Sequence, residues 1–121
     1  MRRQPFYSAI LIALSLLVTA CSRPPSDDTI KSAIAELLKE EVPPSWVNSS
    51  RGGKNAQIEV FDIQEIGKFN SNARYWPVRA RVKGSSQLRW YDTYTVFDKV
   101  GEFQLYQDDY ENWKARMNMS Q

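Results

Sequence analysis

Residues 75–83 read YWPVRARVK. Apolar side chains fall at Trp76, Val78, Ala80 and Val82, and basic ones at Arg79, Arg81 and Lys83. A period of two marks a β-strand, because successive side chains point to opposite faces. One face of this strand is therefore predicted to be buried and the other solvated, as in an antiparallel sheet covered on one side. Pro77 has no N–H for a ladder, so it is expected where the strand begins or at a bulge.

The chain on either side extends the sheet. Gln57 to Ile66 is rich in Ile, Val and Phe, and its alternation slips at Val60-Phe61, where two apolar residues adjoin. A bulge there accounts for the slip. Gly67 to Asn72 reads as a turn. Gly84-Ser85-Ser86 and Asp98-Lys99-Val100-Gly101 carry further turn residues. They divide the remainder into a third strand, Gln87 to Phe97, and a fourth, Glu102 to Gln107. The tail DDYENWKARM is expected to close with a helical turn that lays Tyr110 and Trp113 on the sheet. Trp76 and Trp90 are expected in the core or at its rim. Trp46 is expected to cap one end of the sheet, although its loop position also suits an exposed ring.

A different period precedes the strands. Ile30, Ala33, Ile34, Leu37 and Leu38 lie at i, i+3, i+4, i+7 and i+8, the apolar stripe of a helix. Asp28 or Thr29 is predicted to cap it, and Pro43-Pro44 end it. Residues 45–55 read as a loop. One amphipathic helix packed on a roughly four-stranded antiparallel meander gives an α+β class. This element order resembles cystatin-like and nuclear-transport-factor-like domains, in which a curved sheet wraps a helix.

The beginning of the chain carries a separate message. Arg2 and Arg3 precede an apolar run from Ala9 to Val18, and Thr19 and Ala20 lead to Cys21, the single cysteine. A positive start, a short apolar stretch and small residues form an export leader. The run is shorter than the ~20 residues of a spanning helix. Val18-Thr19-Ala20-Cys21 resembles the lipobox of bacterial lipoproteins, with Val18 in place of the usual Leu. The resemblance implies a diacylglyceryl group on the Cys21 sulfur, cleavage after Ala20, and a further acyl chain on the new amine. Two or more chains anchor a protein stably where one does not. Ser22, where Asp would favour inner-membrane retention, implies the outer membrane and a periplasm-facing domain. The expected organisation is a cleaved leader at 1–20, lipidated Cys21 with a tether to residue 28, and one domain over 29–121.

Composition narrows the function. Removing Arg2 and Arg3 from 16 basic residues leaves 14, equal to the 14 acidic ones. A neutral mature chain gives no field for nucleic acid. With Cys21 acylated, no disulfide forms within the domain. The chain has no histidine, which excludes Ser–His and Cys–His catalysis and the commonest metal ligand. Asp108, Asp109, Glu111 and Asn112 are close in sequence but match no calcium loop. No cofactor or metal is called for.

The candidate binding face is Arg79, Arg81 and Lys83, with Arg74 and Arg89 just outside and Tyr75, Trp76, Trp90, Tyr91 and Tyr94 interleaved. Arginine binds phosphate or carboxylate with a planar fork, so the face suits an envelope protein or an anionic envelope component. The plainer reading is a solvated sheet face whose bases pair with Glu59 or another acid across strands. The functional expectation is a lipid-anchored, non-enzymatic binding or accessory module of the cell envelope. The alternatives are a small periplasmic hydrolase using a serine or carboxylates such as Asp92 or Asp108, and a purely structural envelope lipoprotein.

Overall fold

The computed structural model describes residues 23–47, 52–88 and 93–117. The leader, Cys21, Ser22 and residues 89–92, which include Arg89, Trp90, Tyr91 and Asp92, lie outside them. Helix α1 (Asp27–Glu40) and the single turn α2 (Pro44–Val47) precede four strands: β1 (Gly53–Ile66), β2 (Trp76–Leu88), β3 (Tyr94–Gln107) and β4 (Trp113–Met117). The strands form one antiparallel sheet in the order β1-β2-β3-β4.

The expected α+β class is corrected. Strands of 14, 13, 14 and 5 residues stand against one helix of 14 and a turn of 4. The described domain is thus predominantly antiparallel sheet. Its strands are longer than expected because two segments read as turns lie inside them. Gly84-Ser85-Ser86 belongs to β2, and Asp98–Gly101 belongs to β3. Of the expected third strand, Gln87 and Leu88 end β2, while Tyr94 to Phe97 join the expected fourth strand in β3; the observed fourth strand comes from the tail expected to be helical.

The turn-forming residues at these two places serve packing instead. A Cβ on Gly84 would run into the Gln57 carbonyl oxygen, and one on Gly101 would lie 2.9 Å from the rings of Trp46 and Phe103. A glycine inside a strand marks such a close approach. Ser86 is fully buried, and its hydroxyl donates to the Lys54 carbonyl at 3.2 Å. That contact removes the cost of a buried, unpaired hydroxyl.

Helix α1 starts earlier than expected. Ser26 is the N-cap, with its Oγ accepting from the Thr29 N–H at 3.3 Å. Asp27 and Asp28 occupy the first turn and Lys39 the last, which suits the helix dipole at both ends. Pro25 is already buried, so the domain begins four residues after Cys21. At the other end Val42 exchanges two backbone hydrogen bonds with Gly53, 3.0 and 3.1 Å long. This bridge ties the end of the helix to the start of β1.

The core lies between α1 and the sheet. Ile30, Ala33, Ile34 and Leu38 from the helix meet Val60, Val78, Ala80, Val82, Phe103 and Leu105. Trp46 is 8% exposed, with its ring 5.6 Å from Phe97 and 6.5 Å edge-on to Phe103. It seals one end of the core as α2 crosses β3. A salt bridge of 3.8 Å from Lys114 in β4 to Glu36 in α1 ties the last strand to the helix.

The sheet bends because β1 is longer than its partner. Register shifts fall between Lys54 and Gln57, Val60 and Asp62, and Ile63 and Glu65. Each places extra residues opposite β2 and increases local twist. The second lies at Phe61, where the broken alternation in the sequence pointed. Pro77 is the second residue of β2, beyond the last β1 pair at Ile66↔Val78. A ladder donor on the β1 side is not needed there.

Candidate functional site

Cys21 lies outside the described residues. Arg79, Arg81 and Lys83 are on the outer face of β2, turned away from α1. In register, Arg79 stands between Glu65 and Glu102, Arg81 between Asp62 and Val100, and Lys83 between Glu59 and Asp98. Five carboxylates therefore flank three cations. Arg79 reaches Glu102 at 3.1 Å and Glu65 at 3.6 Å. Arg81 makes a two-pronged contact with Asp98 at 2.8 and 2.7 Å. Lys83 holds its ammonium 4.0 Å from the centre of the Phe61 ring, with the Arg81 guanidinium 5.4 Å from the same ring. The bulge at Phe61 turns that ring to the outer face.

The hydrogen bond from Arg81 holds the Asp98 carboxyl below its ordinary value, and the same bond raises the Arg81 guanidinium. An anion arriving at this face meets carboxylates beside every base. The geometry matches the plainer reading of a paired, solvated face, with Glu65, Asp98 and Glu102 making the contacts.

Ser85 lies within β2, two residues from Lys83, whose ammonium rests on the Phe61 ring. Asp108 is used in the β3–β4 turn. Its Oδ1 accepts from the N–H groups of Tyr110 and Asn112, both at 2.9 Å. Among the described residues no group of three or more His, Cys, Asp or Glu is placed to hold a metal, and no helix is long and apolar enough to cross a membrane.

A second arrangement lies at the end of the sheet where the described chain begins. A cleft of about 590 Å³ is walled by Phe69, Trp76, Tyr106 and Trp113, with Arg23 and Arg74 as bases and Asp108, Asp109 and Glu111 as acids. Two tight loops build it. In the first, Asn70 Oδ1 accepts from the N–H groups of Asn72 and Ala73 at 3.1 and 2.9 Å, and the Asn70 carbonyl accepts from Arg74 N–H at 2.7 Å. In the second, the Asp108 carbonyl accepts from Glu111 N–H at 3.0 Å, and Asp108 N–H donates to the Asn112 carbonyl at 2.9 Å. Each loop ends on a left-handed residue that is not glycine, Arg74 at φ 58° and Glu111 at φ 64°. Such backbone costs on the order of 1 kcal/mol per residue, and both residues line the cleft.

The aromatic wall has contacts of its own. Phe69 and Trp76 have ring centres 5.2 Å apart, and the Arg116 guanidinium lies 4.7 Å from the Tyr106 ring. Arg23 and Arg74, unlike Arg79 and Arg81 on β2, make no ion pair among the described residues. Tyr110, expected on the sheet, is 85% exposed at the tip of the second loop. Trp113 is half-buried and opens β4.

Reading along the chain did not assemble this cleft, because its parts come from residues 23, 69–76 and 106–113. The visible signals were aromatic residues beside both loops and Arg74 directly ahead of Tyr75-Trp76. No family model, curated protein or solved structure matches the chain.

Proposed function

We propose that the chain is a lipid-anchored protein of the bacterial cell envelope, held through acylated Cys21 and facing the periplasm. Ser22 favours the outer membrane. The domain acts as a non-enzymatic binding or accessory module, held directly at the bilayer surface. The observation that carries this reading is the position of the one cysteine. It ends an export leader, and it stands two residues ahead of Arg23 and four ahead of buried Pro25. A catalytic reading has less support, because Asp108 caps a turn and Lys83 faces Phe61.

Cys21→Ala is expected to leave an uncleaved, unacylated precursor by intact mass and to lose acyl-dependent membrane retention. Acylation is read from the mass, and retention by extraction of washed membranes. A variant that is processed and retained like the parent sinks the proposal.

A further inference from the structure

The cleft at the tethered end combines features that no single simple charge satisfies. Arg23 and Arg74 would repel a cation, and Asp109 and Glu111 would repel an anion. A group carrying both charges suits all four. Arginine takes phosphate through a planar fork. The faces of Trp76 and Trp113 attract an ammonium, which the carboxylates complete. The volume, about 590 Å³, is in the range of small-ligand sites. We propose that this cleft binds the amine–phosphodiester headgroup of a zwitterionic phospholipid.

Position supplies the second argument and rests on the lipid-anchor reading above. One residue, Ser22, separates Cys21 from Arg23, so their Cα atoms are at most about 7 Å apart. An acyl chain on Cys21 therefore brings the bilayer surface to the mouth of the cleft. Exposed Tyr110, 85% accessible, borders the same end, and the amphipathic rings of tyrosine favour the headgroup layer. The outer face of β2 offers no comparable site, since Arg79 and Arg81 are already paired with acids and Lys83 rests on Phe61 between Glu59 and Asp98.

The test uses the purified lipidated protein in uncharged detergent, with tryptophan fluorescence as the signal. Glycerophosphoethanolamine, glycerol phosphate and ethanolamine are titrated in parallel. The expected result is saturable binding of the first and at least about tenfold weaker binding of the two single-charge probes. Arg74→Gln and Asp109→Asn should each weaken binding about tenfold, while Arg81→Gln leaves it unchanged. Equal responses to all three probes, or an unaffected Arg74→Gln protein, would overturn the site.

A second arm reconstitutes the protein into phosphatidylethanolamine or phosphatidylglycerol vesicles and measures acrylamide quenching. Stronger protection in the first supports the bilayer as the source. Equal quenching with retained binding of the soluble probe assigns the headgroup to another carrier and overturns the phospholipid. Intact mass reads the anchor separately. An unacylated protein that still binds the probe overturns the anchor alone, and an acylated protein that ignores it overturns the headgroup site alone.

Discussion

Along β3, Phe97, Gly101, Phe103 and Leu105 are sealed on the inner side of the sheet, whereas Val96, Asp98, Val100 and Glu102 are exposed on the other. The inward residues are held by shape: rings of Trp46, Phe97 and Phe103 meet each other and the bare backbone of Gly101. The outward residues are held by charge, with each acid facing a base on β2. One face supplies stability and the other supplies balance. A balanced face has little field left for a ligand. Ligand chemistry falls to the end of the sheet, where Arg23 and Arg74 lie beside an aromatic wall.

Three substitutions, all within six residues of this strand, probe the contrast. Phe103→Ala removes a side chain that is 1% exposed and is expected to cost about 3–5 kcal/mol in urea unfolding. A loss as small as that of an outward substitution would break the contrast. Gly101→Ala adds one methyl against Trp46 and Phe103, and overpacking of this kind costs about 1–3 kcal/mol. Its near-ultraviolet circular dichroism should change with the displaced Trp46 ring; an unaltered spectrum and midpoint would mean the seat is loose.

Asp98→Asn should have the smallest effect, because Asp98 and Arg81 are each 42% exposed and water screens their attraction. The sign is set by the lowered Asp98 carboxyl. Its contribution is complete above the unfolded value of about 3.9 and disappears as pH falls through the lower folded value. The variant should therefore be slightly less stable than the parent at pH 7, equal to it in strong acid, and closer to it in high salt. A deficit that persists in strong acid would place its cause outside the ion pair.

Local patterns were legible where one element carried its own period. Ile30, Ile34 and Leu38 announce the buried stripe of α1, and the broken alternation at Val60-Phe61 announces a bulge. Gly84-Ser85-Ser86 and Asp98–Gly101 misled because glycine, serine and aspartate have two uses. They form turns, and they also let another backbone or an aromatic ring approach a strand closely. Only the tertiary partners, Gln57 for Gly84 and Trp46 for Gly101, separate the two. The tail misled for a related reason: Trp113 to Met117 gains strand structure by pairing with β3, a partner that local sequence does not reveal. The basic stripe was legible as a stripe, but its neutralisation depended on cross-strand register. The cleft was illegible because it joins three distant segments.

The three slips in β1 have a consequence beyond curvature. β1 and β4 are the margins of the sheet, the places where unpaired N–H and C=O groups invite another strand. A copy laid along β1 falls out of phase at each slip, and β4 offers only five residues. Neither margin presents a long, regular template. Under the proposed lipid anchor, copies on one membrane would collide far more often than copies free in solution, and the irregular spacing of a single strand would then guard against edge-to-edge aggregation.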